Sequence, residues 1–551
     1  MEESKMVLDV NEKPTIVKWI ILAIQHVFAM FGATVLVPIL VNSAAGETVL
    51  TIPVALVASG IGTLLYILCT KGKSPVYLGS SFAFIAPLAA AYLKGGISGA
   101  MTGVMAVGLI YIVVATIIHF TGKTWLEKLL PPVVIGPMIM IIGLGLAPNA
   151  VSQMGLSIAM TTANSATEIS IKENKYVVEL GDKYSVNPDK EFTIGTIKAT
   201  DKKDENIKID EQIDITSSKE NLKIEKIIDN EGNVTLKGKT DEIGNYTAEI
   251  ALKNGEETVK LAPVQVDTVH ETWKVILVAL ATFIITAVVM TMAKGFLKVI
   301  PFLVGIAGGY IVAVIVGIVD FTPVIEAAWF SVPTFIVPFL HYTPSFSALI
   351  TIAPIALVTM CEHIGDHTSL SNIIGKDLIK DPGLDRTLLG DGLATFVAGA
   401  IGGPANTTYG ENTSVVGLTK VASVWVIGLA AIIAIAIGFF GKFTALVSTI
   451  PNAVLGGVSL LLYGFIAVNG LKVLIKNQMN FDDPKNVVVA SSMLVLGLGG
   501  AVISIISGDL SVTISGMSLS AVVGILLNLI LPAQKAEKIS IKKEKKEKVK
   551  A

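Results

Sequence analysis

Charge is what this chain has least of. Asp, Glu, Lys and Arg make up only 16% of its 551 residues, where a soluble globular protein carries roughly 25%. Cysteine is scarcer still. Cys69 and Cys361 each lie inside an apolar run, so no disulfide framework is indicated. The chain has no Walker loop, no cluster with metal-ligand spacing and no nucleophile–base pair that spacing alone defends. An enzyme is therefore not expected, nor a cofactor, a metal or a nucleic-acid partner. The start is acidic and polar before Ile16 and lacks the pattern of a cleaved signal peptide, so the first apolar segment is expected to be retained.

What the chain has instead is hydrocarbon: 52% of it is hydrophobic, with mean hydropathy +0.69. The runs Trp19–Val41, Val49–Thr70, Val275–Met292 and Val487–Ile506 are each long enough to cross a bilayer core as a helix. Fourteen membrane segments are expected in all. They lie near residues 16–41, 49–70, 77–93, 99–120, 131–150, 273–293, 299–319, 345–365, 387–402, 405–419, 423–440, 445–468, 486–506 and 513–531. The pattern predicts a polytopic membrane protein in the bilayer of the cell.

Short-loop lysines and arginines set the expected orientation. Lys71/Lys73, Lys123/Lys128, Lys294/Lys298, Lys376/Lys380/Arg386, Lys472/Lys476 and the tail fall on alternate loops, whereas the opposite set holds mainly Lys94, Lys274 and Lys442. Both termini are thus expected in the cytoplasm, as a tail of residues 1–15 and a basic tail of 533–551, with membrane segments in 16–161 and 271–532. Residues 162–270 then lie outside. Their short alternating pieces, such as Phe192-Thr-Ile-Gly-Thr-Ile-Lys198 and Tyr246-Thr-Ala-Glu-Ile-Ala-Leu252, read as strands of a β-sandwich. Gly244-Asn-Tyr-Thr-Ala-Glu-Ile250 resembles the end of a bacterial immunoglobulin-like domain. Such a module could serve a partner, the cell wall or a lid, or be a tolerated insertion in an exterior loop.

Two carboxylates stand out inside the apolar material: Glu362, in Cys361-Glu-His-Ile-Gly-Asp-His367, and Glu411, in Asn406-Thr-Thr-Tyr-Gly-Glu-Asn412. Each costs at least about 2.5–3.5 kcal/mol at bilayer depth, and such residues face a bundle interior or a water-filled cavity. Two stretches, Tyr77–Pro87 and Gly402–Ser414, are rich in Gly, Ser, Pro and Asn and open apolar runs too short for a clean span. Irregular backbone survives there only against protein or a cavity, and a broken helix presents first-turn N–H groups to a ligand. Each stretch falls in the third segment of a seven-segment half. An odd number of spans turns the second half over, so an inverted repeat and a transport site are expected.

Gln25–Pro38, Gly79-Ser-Ser-Phe-Ala-Phe84, Cys361-Glu-His-Ile-Gly365 and Asn406–Asn412 together resemble the nucleobase–ascorbate transporter family, nearest to its bacterial uracil permease branch, over all of the chain except 162–270. The resemblance implies two inverted seven-segment repeats, a core and a gate domain, a homodimer, and short strands in segments 3 and 10 that meet at the midplane. It implies Glu362 and Glu411 as substrate-binding carboxylates, the backbone N–H groups of Phe82 and Gly410 as donors to pyrimidine carbonyls, and Tyr409 beside them. Gln25, His26, Asn412 and Thr413 belong to its recurrent motifs, and a supporting hydrogen-bonding role is expected of them.

Within the run Glu411–Lys420, glutamate in first place resembles uracil carriers, whereas xanthine and urate carriers more often have glutamine. Ser414 replaces a usual glycine and Lys420 a frequent arginine. The implied function is proton-coupled uracil import by alternating access. Another nucleobase such as xanthine or urate, or a receptor anchored for its outer domain, are the competing readings.

For the proton, Asp366 stands where close bacterial relatives often have histidine. It lies one helical turn from Glu362 on the same face, and two carboxylates in a dry site cannot both ionise cheaply. The expected carriers are Glu362 with Asp366, then Glu411. His363 and His367 lie off that face and read as structural, and Asp391 reads as an interfacial residue.

Overall fold

The computed structural model describes residues 6–532 apart from 46, 157–166, 345–351, 353–354, 502, 508–509, 515 and short loops between the strands of 167–271. The basic tail and the start of the segment expected near 345–365 lie outside the described residues.

The first three helices are α1 (Ile16–Ala45), α2 (Ile52–Cys69) and α3 (Ile85–Thr121), with β1 (Leu78–Ser80) between α2 and α3. Asn42 closes the α1–α2 turn: its Oδ1 accepts from the N–H groups of Val49 and Leu50, and its Nδ2 donates to the Leu50 carbonyl. Helix α3 breaks at Gly96, whose φ of 58° and ψ of −155° no helix contains, matching the two segments expected there. Then come α4 (Pro132–Gly145), α5 (Thr272–Met292) and α6 (Pro301–Val316). The second half holds α7 (Ile355–Ile374), α8 (Leu384–Ala400), β2 (Asn406–Thr408), α9 (Gly410–Thr419), α10 (Val424–Gly438), α11 (Asn452–Lys476), α12 (Pro484–Leu498) and α13 (Gly516–Ile530).

Among the described residues six helices are long and apolar enough to cross a membrane, or seven if the pair Val424–Gly438 and Gly441–Ser448, bent by 82°, forms one span. Helices α6, α12 and α13 are apolar but shorter. Two packed groups result: α1, α2, α3, α8 and α10 in one, α4, α5, α6, α11, α12 and α13 in the other.

One expected span is corrected. Residues 486–506 do not form a continuous helix: α12 stops at Leu498, and Ile503–Ser507 pairs antiparallel with Leu510–Ile514. Gly497, Gly499 and Gly500 weaken the helix, and the β-branched residues Ile503, Ile505, Ile506, Val512, Thr513 and Ile514 that follow favour strand.

Residues 167–268 form two sheets. One orders Thr167–Ile171, Asn174–Leu180, Phe192–Asp201, Val234–Thr240 and Leu222–Ile228; the other orders Glu257–Lys260, Asn245–Asn254, Val264–Thr268 and Lys183–Val186, with Ile213–Ser217 also on Asn245–Asn254. Alternation explains the packing: Tyr246, Ala248, Ile250 and Leu252 are buried, and they share one core with Tyr176, Ile197 and Leu236 of the other sheet.

Candidate functional site

The site grows from two three-residue strands. β1 and β2 pair antiparallel with Leu78 opposite Thr408, Gly79 opposite Thr407 and Ser80 opposite Asn406. All six residues are buried. An unpaired peptide group costs several kcal/mol where water is absent, so so short a ladder needs help from its surroundings.

The neighbouring helices supply it. Thr63 of α2 accepts from the Leu78 N–H at 2.9 Å and donates to the Leu78 carbonyl at 3.1 Å, which Ser59 also reaches at 2.8 Å. Thr395 of α8 donates to the Asn406 carbonyl at 3.0 Å. The Asn406 amide donates to the Ala58 and Ala394 carbonyls, both at 3.2 Å, tying α2 to α8 across the strand.

Each strand then turns into a helix start. Phe82 opens a short 3₁₀ turn ahead of α3, and Gly410 opens α9. First-turn N–H groups lack intrahelical acceptors, so both strand ends offer donors at the crossing. Tyr409 lies beside them, buried and stacked on Tyr77 with centroids 6.4 Å apart. Its hydroxyl donates to the Ser80 carbonyl at 3.1 Å and bonds the Thr34 hydroxyl at 3.0 Å.

Helix α7 delivers the carboxylates to β2. Asp366 Oδ2 accepts from the Thr408 hydroxyl at 2.6 Å, and Glu362 Oε2 accepts a long bond of 3.5 Å from Thr407. Glu362 and Asp366, one helical turn apart, thus lie on the face of α7 turned to β2. A Cβ built on Gly410 would stand 3.7 Å from Asp366 Oδ1, which puts the start of α9 directly over α7. Glu362, Asp366 and Glu411 are each only partly buried and Gly410 is exposed, so the site is not sealed inside the protein. Glu411 also lines a crevice with Phe28 and Gly32 of α1, Leu303 of α6 and Leu462 of α11, at the seam between the two helix groups.

The other motif residues divide. Asn412 donates through Nδ2 to His26 Nδ1 and to the His26 carbonyl, both at 3.1 Å, which fastens α9 to α1 and leaves the imidazole proton on Nε2. The Gln25 Oε1 atom is buried without a protein partner among the described residues, and Thr413 is buried through packing on α9.

Asp391 is not interfacial. It is 1% exposed inside α8, with Oδ2 2.8 Å from His363 Nδ1. The chain of contacts continues: His367 Nδ1 donates to the His363 carbonyl at 2.8 Å, and its Nε2 meets the Tyr66 hydroxyl at 2.5 Å. Tyr66 in turn bonds Ser74 at 2.8 Å. Helix α7 thus carries two i, i+4 pairs on adjacent faces. The acids Glu362 and Asp366 face the site, and the histidines face α2 and α8. Burial of Asp391 requires a partner, and that partner lies 28 residues back in the chain, where no local pattern reveals it.

A family model described as "Permease family" matches residues 17–173 and 243–506. The chain belongs to this permease family. It is a multi-pass membrane transporter and not an enzyme. Residues 174–242, most of the sandwich, fall between the two matched stretches.

The permease is 40% identical to the uracil permease of Bacillus subtilis over 98% of each chain, and 40% identical to that of Bacillus caldolyticus over 96% of each. It is 34% identical to the uracil permease of Escherichia coli, covering 96% of this chain and 94% of that one. Among solved structures it resembles SLC26A9, with a TM-score of 0.53 at 10% identity, over 94% of this chain and 66% of that chain. That likeness shows a shared helical membrane-transporter fold.

Proposed function

We propose that the chain is a proton-coupled uracil permease that imports uracil across the cytoplasmic membrane by alternating access. The observation that carries the reading is the placement of Glu362 and Asp366 against β2, and of Glu411 in the first turn of α9, beside two helix starts at the β1–β2 crossing. Uracil is flat and neutral, with an acceptor–donor–acceptor edge and a second N–H. Glu362 and Glu411 accept from its ring N–H groups, and the first-turn N–H groups of Phe82 and Gly410 donate to its carbonyls. Tyr409 braces the crossing from behind. A site that hydrogen-bonds a given edge rejects analogues lacking it, because its buried groups are left unpaired. The names of the similar permeases point to the same cargo.

Glu362 and Asp366, with Glu411 as the third member, carry the proton in this reading. Loading one shared proton relieves repulsion among the three carboxylates while leaving ionised acceptors for the ring N–H groups, and losing it on the inner face restores that repulsion and spreads the acids that hold the ring. His26 and Asn412 hold α9 against α1, with Gln25 and Thr413 beside them. The strand-then-helix unit in each half supports fourteen segments in two inverted repeats, split into core and gate, and the family resemblance supports a homodimer. Both termini face the cytoplasm, and the 162–270 sandwich faces outward as an insertion.

Two experiments test this. Unlabelled uracil is expected to displace labelled uracil from the purified permease, with xanthine and urate far weaker; equal displacement by purines would move the cargo to another base. Replacing 162–270 by a short Gly/Ser linker is expected to leave uptake within about twofold, since no site residue lies there. Loss of uptake in a folded deletion would give the outer domain a part in transport.

A further inference from the structure

Residues 7–12, ahead of the first helix, are docked on the far side of the site helices. The Val7 and Leu8 N–H groups donate to the Lys420 carbonyl at 2.7 and 3.3 Å, the Ala422 N–H to the Leu8 carbonyl at 2.9 Å, and the Val424 N–H to the Val10 carbonyl at 2.9 Å. Leu8 and Val421 form a parallel bridge. Ser423 donates to the Glu12 carbonyl. Lys420, whose carbonyl takes the first two of these bonds, caps α9 in the left-handed conformation at φ 57°.

The side chains of the segment reach the other site helix. Val10 is 2% exposed and packs in a buried cluster with Leu370 and Ile374 of α7, Val416 of α9 and Leu78 of β1. Asp9 grips Lys376, just past the end of α7, with both carboxylate oxygens at 2.6 and 2.7 Å. One short segment therefore touches the C-terminal ends of both helices that carry the acids.

We propose that residues 7–12 are a strap that holds the ends of α7 and α9 in fixed register and thereby sets the spacing of Glu362, Asp366 and Glu411. This rests on the reading of that site as the uracil site. Helix α9 is only 10 residues long, so its own backbone bonds do little to fix it, and it depends on what holds its two ends. The buried cluster that Val10 shares with Leu370, Ile374 and Val416, together with the bonds to Lys420, Ala422 and Val424, supplies what its length does not. The residues of the strap touch no substrate; they position the helices that do.

The strap is not a pH sensor at physiological pH. Lys376, bonded to Asp9, and the Val10 N–H hold the Asp9 carboxyl below its usual value of 3.8. A depressed folded pKa means that the ion pair's contribution is complete above that value and is lost only as pH falls through the lowered one.

The test uses the full-length permease and three changes. Deleting residues 2–12 is expected to weaken uracil binding by about tenfold, the scale on which changes remote from a ligand act. It is also expected to speed amide exchange along α9 and the last turns of α7. Asp9→Lys and Lys376→Asp are each expected to weaken binding by about two- to fivefold, as befits a half-exposed ion pair. The double reversal is expected to return within about twofold of wild type. A folded deletion with wild-type affinity and unchanged exchange in α7 and α9 would overturn the strap. If the deletion does not fold, the charge reversals decide: recovery in the double variant supports the strap, and its failure contradicts it. If the wild type itself does not bind uracil, the cargo assignment falls, while the exchange rates still judge the strap by the same two outcomes.

Discussion

Uracil binding is expected to fall by about 10²- to 10³-fold in Glu362→Gln, with uptake lost. The carboxylate is acceptor-only, whereas the amide turns one acceptor into a donor facing a ring N–H. A hydrogen bond to a charged group contributes about 1.5–3 kcal/mol, and a buried group left unpaired costs about 1–3 kcal/mol. At roughly 1.4 kcal/mol per decade, two to three decades follow. The fold should be intact, because among the described residues the Glu362 side chain has one hydrogen bond, the 3.5 Å contact from Thr407, and a glutamine oxygen accepts that equally well. Calorimetry on the purified variant reads the effect. A folded Glu362→Gln protein that binds uracil within about threefold of wild type would remove Glu362 from the site.

Gly79→Ala is expected to abolish transport and to lower thermal stability. A Cβ at Gly79 would come within 2.5 Å of Cε2 and Cζ of the Tyr409 ring. That ring cannot swing aside: it is buried, stacked on Tyr77, and tied by its hydroxyl to Thr34 and Ser80. Either Tyr409 leaves or β1 separates from β2, and both move Phe82 and Gly410. Overpacking of this kind costs about 1–3 kcal/mol, but function should suffer more, because a displacement near 1 Å is enough to spoil a positioned site. Gly464→Ala is the matched control, since a Cβ there meets nothing within 4 Å. Uptake and melting measured side by side decide it: wild-type transport in Gly79→Ala would show that the crossing tolerates a methyl group and is not the rigid centre described here.

Much of the site is legible in the sequence, for a physical reason. A carboxylate inside an apolar run is a local anomaly, and Glu362 and Glu411 each show as one, whereas Asp366 is reached through the family resemblance and its spacing from Glu362. Helical spacing alone placed Glu362 and Asp366 on one face, and the structure puts Thr407 and Thr408 opposite them. Glycine- and proline-rich openings flagged the two broken segments, but the β1–β2 pairing joins residues about 330 positions apart and was expected only through family resemblance.

Asp391 was misread because a single acid near a segment start looks the same whether it meets headgroups or His363. The 486–506 span was misread because a short run of Ile, Val and Ser has no period that separates helix from strand. The strap could not be read at all. Val7, Leu8 and Val10 form no pattern, and their partner, the backbone around Lys420, is fixed by the turn after α9.

The central claim is that protons drive uracil through the β1–β2 site, and uptake of labelled uracil into proteoliposomes tests it most directly. With the exterior more acidic than the lumen, uracil should accumulate above its external concentration, and a protonophore should bring it back to equilibrium. Accumulation that ignores the proton gradient would contradict the coupling, and no uracil uptake under either condition would contradict the cargo.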